Sequence, residues 1–107
     1  MDVMARIDQL VKDNTVFIFM KGTPDFPQCG FSSRAAQVLQ AMEVPFGHLN
    51  VLEDPEVRQN LRRYQNFPTI PQVYVGGELV GGSDIALEMY QNGELQTMVQ
   101  KALGAAA

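Results

Sequence analysis

Apolar residues recur along this chain in two alternating rhythms, and the switches between them mark the elements. Val3, Ile7, Leu10 and Val11 share one helical face, which ends at Asp13-Asn14. Thr15 to Met20 is an unbroken apolar and β-branched run, the pattern of a central strand buried on both sides. Beyond a loop rich in glycine and proline, Phe31, Ala35, Val38, Leu39 and Met42 return at helical spacing up to Glu43. Phe46 to Val51 predicts a second strand. Asp54-Pro55 then supplies an N-cap followed by proline at the first helical position, opening a helix whose inner face is Val57, Leu61 and Tyr64. Gln72–Val75 and Glu78–Val80 predict two short strands joined by Gly76-Gly77, a pair suited to the positive φ angles of a two-residue hairpin. Gly81-Gly82-Ser83-Asp84 leads into a helix carrying Ile85, Met89 and Tyr90. After Asn92-Gly93 a last helix places Leu95, Met98, Val99 and Leu103 on one side, with Ala105 to Ala107 expected to fray. Met4, Met42, Met89 and Met98 fall at or near core positions of these helices.

The predicted order is α-β-α-β-α-β-β-α-α. A β-α-β unit makes two strands parallel through a right-handed crossover, and the glycine hairpin makes another pair antiparallel. The expected fold is therefore α/β and thioredoxin-like: a four-stranded mixed sheet with helices on both faces. At 107 residues, with no repeat or linker, the chain is expected to form one domain, residues 1–107. An apolar fraction of 46% against 19% charged residues argues against disorder. A net charge of -4 argues against nucleic acid as a partner, because phosphate binding needs a basic surface. No apolar run reaches membrane-span length, and the start of the chain lacks the cationic and apolar stretches of a secretory signal. With a single cysteine, these features lead to the expectation of a reducing compartment, by default the cytoplasm.

That cysteine, Cys29, lies where the first strand gives way to a helix, in Met20-Lys21-Gly22-Thr23-Pro24-Asp25-Phe26-Pro27-Gln28-Cys29-Gly30-Phe31-Ser32. A helix start offers free N–H groups and the positive end of the dipole, both of which favour thiolate over thiol, and Lys21 can add a nearby charge. The competing reading is a small buried apolar residue. With no second cysteine the thiol cannot close an internal disulfide or hold a metal alone, so its chemistry must borrow a sulfur from another molecule. Ser32 stands where a Cys-x-x-Cys motif would place a second thiol. Its hydroxyl can cap the helix or hydrogen-bond the thiolate, but it cannot resolve a mixed disulfide. In Thr69-Ile70-Pro71 the proline lacks an N–H, which leaves preceding backbone groups free for a partner other than the sheet. Gly81-Gly82-Ser83-Asp84 offers N–H groups to an anion and a carboxylate to an ammonium, although a serine or aspartate N-cap also accounts for it. Arg58, Arg62 and Arg63 read on their own as a solvated helix face. His48, the only histidine, has no neighbour in sequence to complete a metal site and is given no role. No phosphate loop, paired-carboxylate motif or serine triad is recognisable.

Lys21-Gly22-Thr23-Pro24-x-x-Pro27-x-Cys29-Gly30-Phe31-Ser32, Pro68-Thr69-Ile70-Pro71-Gln72 and Gly81-Gly82-Ser83-Asp84 together resemble the three signature segments of monothiol glutaredoxins of the Cys-Gly-Phe-Ser type. The resemblance runs from about the first helix to Leu103. Two departures are visible: Phe67 where many relatives have tryptophan, and Ser83 where some carry a second cysteine. The resemblance implies that Pro71 is cis beside Cys29 and that the Ile70 main chain pairs with the cysteinyl unit of glutathione. It further implies that Lys21 and Arg58, with Arg62 as a further contributor, meet the glycyl carboxylate, while Gly82, Ser83 and Asp84 take the γ-glutamyl end. The implied function is carriage of a [2Fe-2S] cluster in iron-sulfur assembly, bridged between two subunits by Cys29 of each chain and two glutathione thiolates, for delivery to apo iron-sulfur proteins. The alternatives are a glutathione-dependent thiol-disulfide oxidoreductase acting through Cys29, and a module that binds a BolA-like protein. Relative to the Lys-x-x-Cys loop of dithiol glutaredoxins, five extra residues separate Lys21 from Cys29. They are expected to shift Lys21 and the incoming glutathione, to weaken the second thiol attack and to favour cluster carriage.

Overall fold

The computed structural model describes residues 2–106. Its elements are α1 (Val3–Asp13), β1 (Val16–Met20), α2 (Gly30–Ala41), β2 (Gly47–Asn50), a 3-10 turn (Val51–Glu53), α3 (Pro55–Tyr64), β3 (Gln72–Val75), β4 (Glu78–Gly81), α4 (Ser83–Gln91) and α5 (Glu94–Ala106). The strands form one sheet in the order β2-β1-β3-β4. β1 pairs parallel with β2 across the α2 crossover, Phe17 opposite Gly47, and antiparallel with β3, Phe17 opposite Tyr74. β3 and β4 close the antiparallel hairpin through Gly76 and Gly77, whose φ values of 59° and 83° are those of the two-glycine turn. The expected α/β thioredoxin-like architecture is therefore the one observed.

All five residues of β1 are buried, as its unbroken apolar run requires of a strand covered on both faces. One face carries Val16, Ile18 and Met20 into a layer with Ala35, Leu39, Ala86, Leu95 and Val99 from α2, α4 and α5. The other carries Phe17 and Phe19 against Ile7, Val11, Val57 and Leu61 from α1 and α3. There Phe19 meets Tyr74 edge to face, with ring centroids 5.8 Å apart. Met42, Met89 and Met98 pack against the first layer and Met4 against the second, as the helical spacing predicted.

Most departures from the predicted elements are at boundaries. Val51 leaves β2 for the 3-10 turn, because the Asn50 side chain accepts the Leu52 N–H and starts a tighter bend. At the C-terminus α5 is helical through Ala106, alanine being the best helix former, and Ala107 lies outside the described residues.

Asp54 caps α3 as predicted, accepting the Val57 N–H at 3.2 Å, and it also pairs with Arg6 of α1. The hydrogen bond from Arg6 is the main reason its carboxyl is held below the usual carboxylate range. The folded state thus binds the Asp54 proton more weakly than the unfolded chain. This contribution to stability is present above the ordinary carboxylate pKa and lost as pH falls through the depressed value. Asp54→Ala is expected to cost about 1–2 kcal/mol at neutral pH, for a lost cap and a partly exposed ion pair, with a smaller deficit in acid. Urea melts at neutral and acid pH measure both.

Candidate thiolate site and cleft

The end of β1, the start of α2, the α3–β3 connection and the start of α4 converge at one end of the sheet. Cys29 is the N-cap of α2, with extended backbone (φ -153°, ψ 136°) and a carbonyl that accepts the Ser33 N–H at 2.8 Å. Its thiol is partly exposed and its pKa is lowered. The Ser32 backbone N–H is the largest cause; burial opposes it; the Phe31 N–H, the Ser32 hydroxyl and the charge of Lys21 add to it. Of the effects expected from sequence, hydrogen bonds from the first helical turn outweigh the lysine.

Ser32 is fully buried, and its hydroxyl oxygen accepts the Lys21 backbone N–H at 3.0 Å. A hydroxyl donates once while accepting, so the same group ties the end of β1 to α2 and supports the thiolate. It does not cap the helix; that position is Cys29's. The loop before Cys29 folds back on itself. Gly22 bridges Pro27, the Gln28 N–H donates to the Lys21 carbonyl at 2.9 Å, and Thr23 to Phe26 turn through reciprocal backbone bonds. Gly22 has φ 91°, and a Cβ there would lie 2.5 Å from the Phe26 carbonyl oxygen, so glycine is required. The intervening residues are thus taken up in a small hairpin that returns the chain beside Lys21.

Because the folded thiol holds its proton more weakly than the unfolded one, stability rises with pH between the folded and ordinary thiol pKa values and is lost as pH falls through the folded value. The pH–rate profile of Cys29 alkylation by iodoacetamide should turn below the range of a free thiol, and Ser32→Ala should move it upward. A midpoint at the free-thiol value would contradict an activated Cys29.

Beside the thiol opens a cleft of about 1140 Å³. One wall is basic, with Lys21 from the end of β1 and Arg58 and Arg62 one turn apart on α3. The middle is the Thr69-Ile70-Pro71 segment, with a cis Ile70–Pro71 peptide and the Ile70 side chain packed toward the α1–α3 layer. Gly82, Ser83 and Asp84 form the other end, so the predicted ligand contacts from all three stretches line one cleft. Cys29 itself lies outside the lining, two residues before Phe31, which is in it. Asp84 is not an N-cap: Gly82 holds that position without a side-chain bond, and the Asp84 carboxylate is 86% exposed. A capping hydrogen bond therefore does not account for Asp84, which sits in the first turn of α4, where the helix dipole favours a carboxylate.

The sequence reading missed Arg34, whose guanidinium lies 3.6 Å from Asp84. No motif flags it; only the packing of α2 on α4 brings the two together. It also missed the cleft-lining Phe31, 59% exposed, and Gln72, whose buried amide is described below. His48 is exposed on β2, and no group of three or more metal-ligating side chains occurs among the described residues. No helix among them is long and apolar enough to cross a membrane.

A thioredoxin-like sheet with a cysteine of lowered pKa at a helix start and a Thr-Ile-cis-Pro wall defines a thiol protein of the thioredoxin class. The glutaredoxin family model matches residues 16–80. A monothiol glutaredoxin of Synechocystis described as uncharacterized and ycf64-like is 59% identical over 102 residues, covering 95% of each chain. Glutaredoxin 4 of Pasteurella multocida is 50% identical over 99 residues, 92% of this chain and 91% of that one. The solution structure of reduced poplar apo GrxS14 superposes with a TM-score of 0.80 at 47% identity, covering 92% of this chain and 91% of the other. The chain belongs to the glutaredoxin family, among its monothiol members.

Proposed function

We propose that residues 1–107 form a single glutaredoxin domain that binds glutathione in this cleft and carries a [2Fe-2S] cluster between two copies of the chain, for transfer to apo iron-sulfur proteins in the cytoplasm. The observation that carries the reading is one partly exposed cysteine per chain, at a helix start, beside a cleft lined by Lys21, Arg58 and Arg62 and by Asp84. Glutathione has the complementary charges. Its glycyl carboxylate suits Lys21, Arg58 and Arg62, and its γ-glutamyl carboxylate suits the free N–H groups where α4 begins at Gly82 and Ser83. Its ammonium suits Asp84, and its cysteinyl backbone suits the main chain of Ile70. The cluster is cargo, and the donor set fits it only by sharing. A four-sulfur site needs thiolates that one Cys29 cannot supply, and two chains with two glutathiones provide them.

Anaerobic reconstitution with iron, sulfide and glutathione should give a brown dimer; a colourless monomer would count against cluster carriage. A second reading, attack of Cys29 on a glutathionylated protein followed by release with a second glutathione, draws support from the lowered thiol pKa. Family resemblance alone suggests a BolA-like partner.

Asp84→Ala should weaken glutathione binding by about 1–3 kcal/mol, the range for a lost hydrogen bond to a charged group. Since Asp84 caps no helix through its side chain, the melting temperature should stay near wild type. Calorimetric titration beside a thermal melt separates ligand binding from helix stability.

A further inference from the structure

Among its fully buried side chains, the α1–α3 face of the sheet holds two that carry polar groups. Gln72, which opens β3, is 1% exposed, and Tyr74, two residues on and on the same face, is fully buried. Polar groups at such positions are costly unless every one is paired. The Tyr74 hydroxyl donates to Gln72 Oε1 at 2.8 Å, which fixes the orientation of the amide. Gln72 Nε2 then donates to the carbonyl of Phe67 at 3.1 Å. Phe67 is held from its other side as well, its N–H donating to the Arg62 carbonyl at 3.1 Å.

The acceptor at the end of this relay is what gives it meaning. Phe67 begins the stretch through Pro71 that walls the cleft, and Arg62 belongs to the basic side. An apolar pair of similar size would fill the layer without any polar requirement. Two buried polar groups are instead directed at one carbonyl of the cleft wall, and none of the predicted ligand contacts uses them. We propose that Gln72, oriented by Tyr74, is a positioning residue for the glutathione site: it anchors the Phe67 carbonyl and so sets the path of residues 67–71, including the Ile70 main chain. The inference rests on the glutathione reading of the cleft.

The test compares full-length wild type with Gln72→Leu, Tyr74→Phe and the double variant in calorimetric titrations with reduced glutathione, at a temperature where each is folded. Val99→Ala, in the opposite core layer, serves as a destabilised control. Gln72→Leu should bind glutathione about tenfold more weakly and Tyr74→Phe about threefold, because an undirected amide loosens the anchor without deleting it. The double variant should be no weaker than Gln72→Leu, since both act through one chain of bonds. The Thr69 and Ile70 amide resonances should shift in all three, while the rate of Cys29 alkylation stays at the wild-type value. Val99→Ala should lose melting temperature and keep its affinity. If Gln72→Leu does not fold, Tyr74→Phe, which removes one oxygen and keeps the ring, carries the comparison. Affinity within twofold of wild type in the folded relay variants, or an equal loss in Val99→Ala, overturns the positioning role while leaving the glutathione reading intact. Failure of wild type itself to bind glutathione overturns both.

Discussion

Cys29→Ser is expected to abolish cluster retention and mixed-disulfide formation together. The hydroxyl is a poor ligand for iron and, with a pKa far above neutrality, a poor nucleophile. Nothing else in the chain can substitute, because Cys29 is its only cysteine. The fold should persist. The Cys29 side chain is partly exposed, and Ser33 takes its helical bond from the Cys29 carbonyl, which the substitution keeps. Serine is also a favoured N-cap, so α2 should be retained or strengthened. What disappears is a pH dependence: the variant should lack the gain in stability that wild type shows between the folded and ordinary thiol pKa values. Visible absorbance after anaerobic reconstitution, intact mass after incubation with oxidised glutathione, and thermal melts across that pH window read the three effects. A Cys29→Ser protein that kept a glutathione-dependent cluster would overturn the assignment of the thiolate.

The architecture was legible because its signals are local and redundant. Asp54-Pro55 dictates a helix start, Gly76-Gly77 a hairpin, and the run from Thr15 to Met20 a central strand; each holds whatever its neighbours do. The cleft was legible through three short segments whose resemblance named residues far apart in the chain. What the sequence left open is what depends on side chains meeting across elements. Ser32 could have been a cap or a thiolate partner, and only the approach of β1 to α2 makes its hydroxyl the acceptor for Lys21. Asp84 also read as a cap, until Gly82 took the N-cap position of α4 and left the Asp84 carboxylate exposed. Arg34 carries no local signal at all, and neither does Gln72, whose meaning lies in a tyrosine on one side and a loop carbonyl on the other. The insertion before Cys29 announced itself by length. Its effect could not be read from length, because the Gly22–Pro27 bridge and the Gln28–Lys21 bond decide where the extra residues go.

Assembly should follow from cysteine count. One chain supplies one thiolate and a [2Fe-2S] cluster wants four, so the protein should be a monomer without cluster and a dimer with it. Glutathione should be stoichiometric, since it furnishes half of the ligands and no reducing equivalents. Its binding must also position those thiolates, so Lys21→Ala and Arg58→Ala should lose cluster faster than wild type although neither side chain touches iron. A mass-action argument sets the expected form of the transition. The cluster binds two chains and two glutathiones at once, so withdrawing any one component pulls the whole assembly apart. Removing free glutathione, or oxidising it, should therefore bleach the visible absorbance and return the monomer in one coupled step, with the same midpoint for both signals. Light scattering recorded while absorbance is followed tests this directly. A dimer that outlasts the colour would mean that protein surfaces hold the two chains together, with the apolar Phe31 and Ile85 beside the cleft as the first place to look, and the idea of a cluster-held dimer would fall.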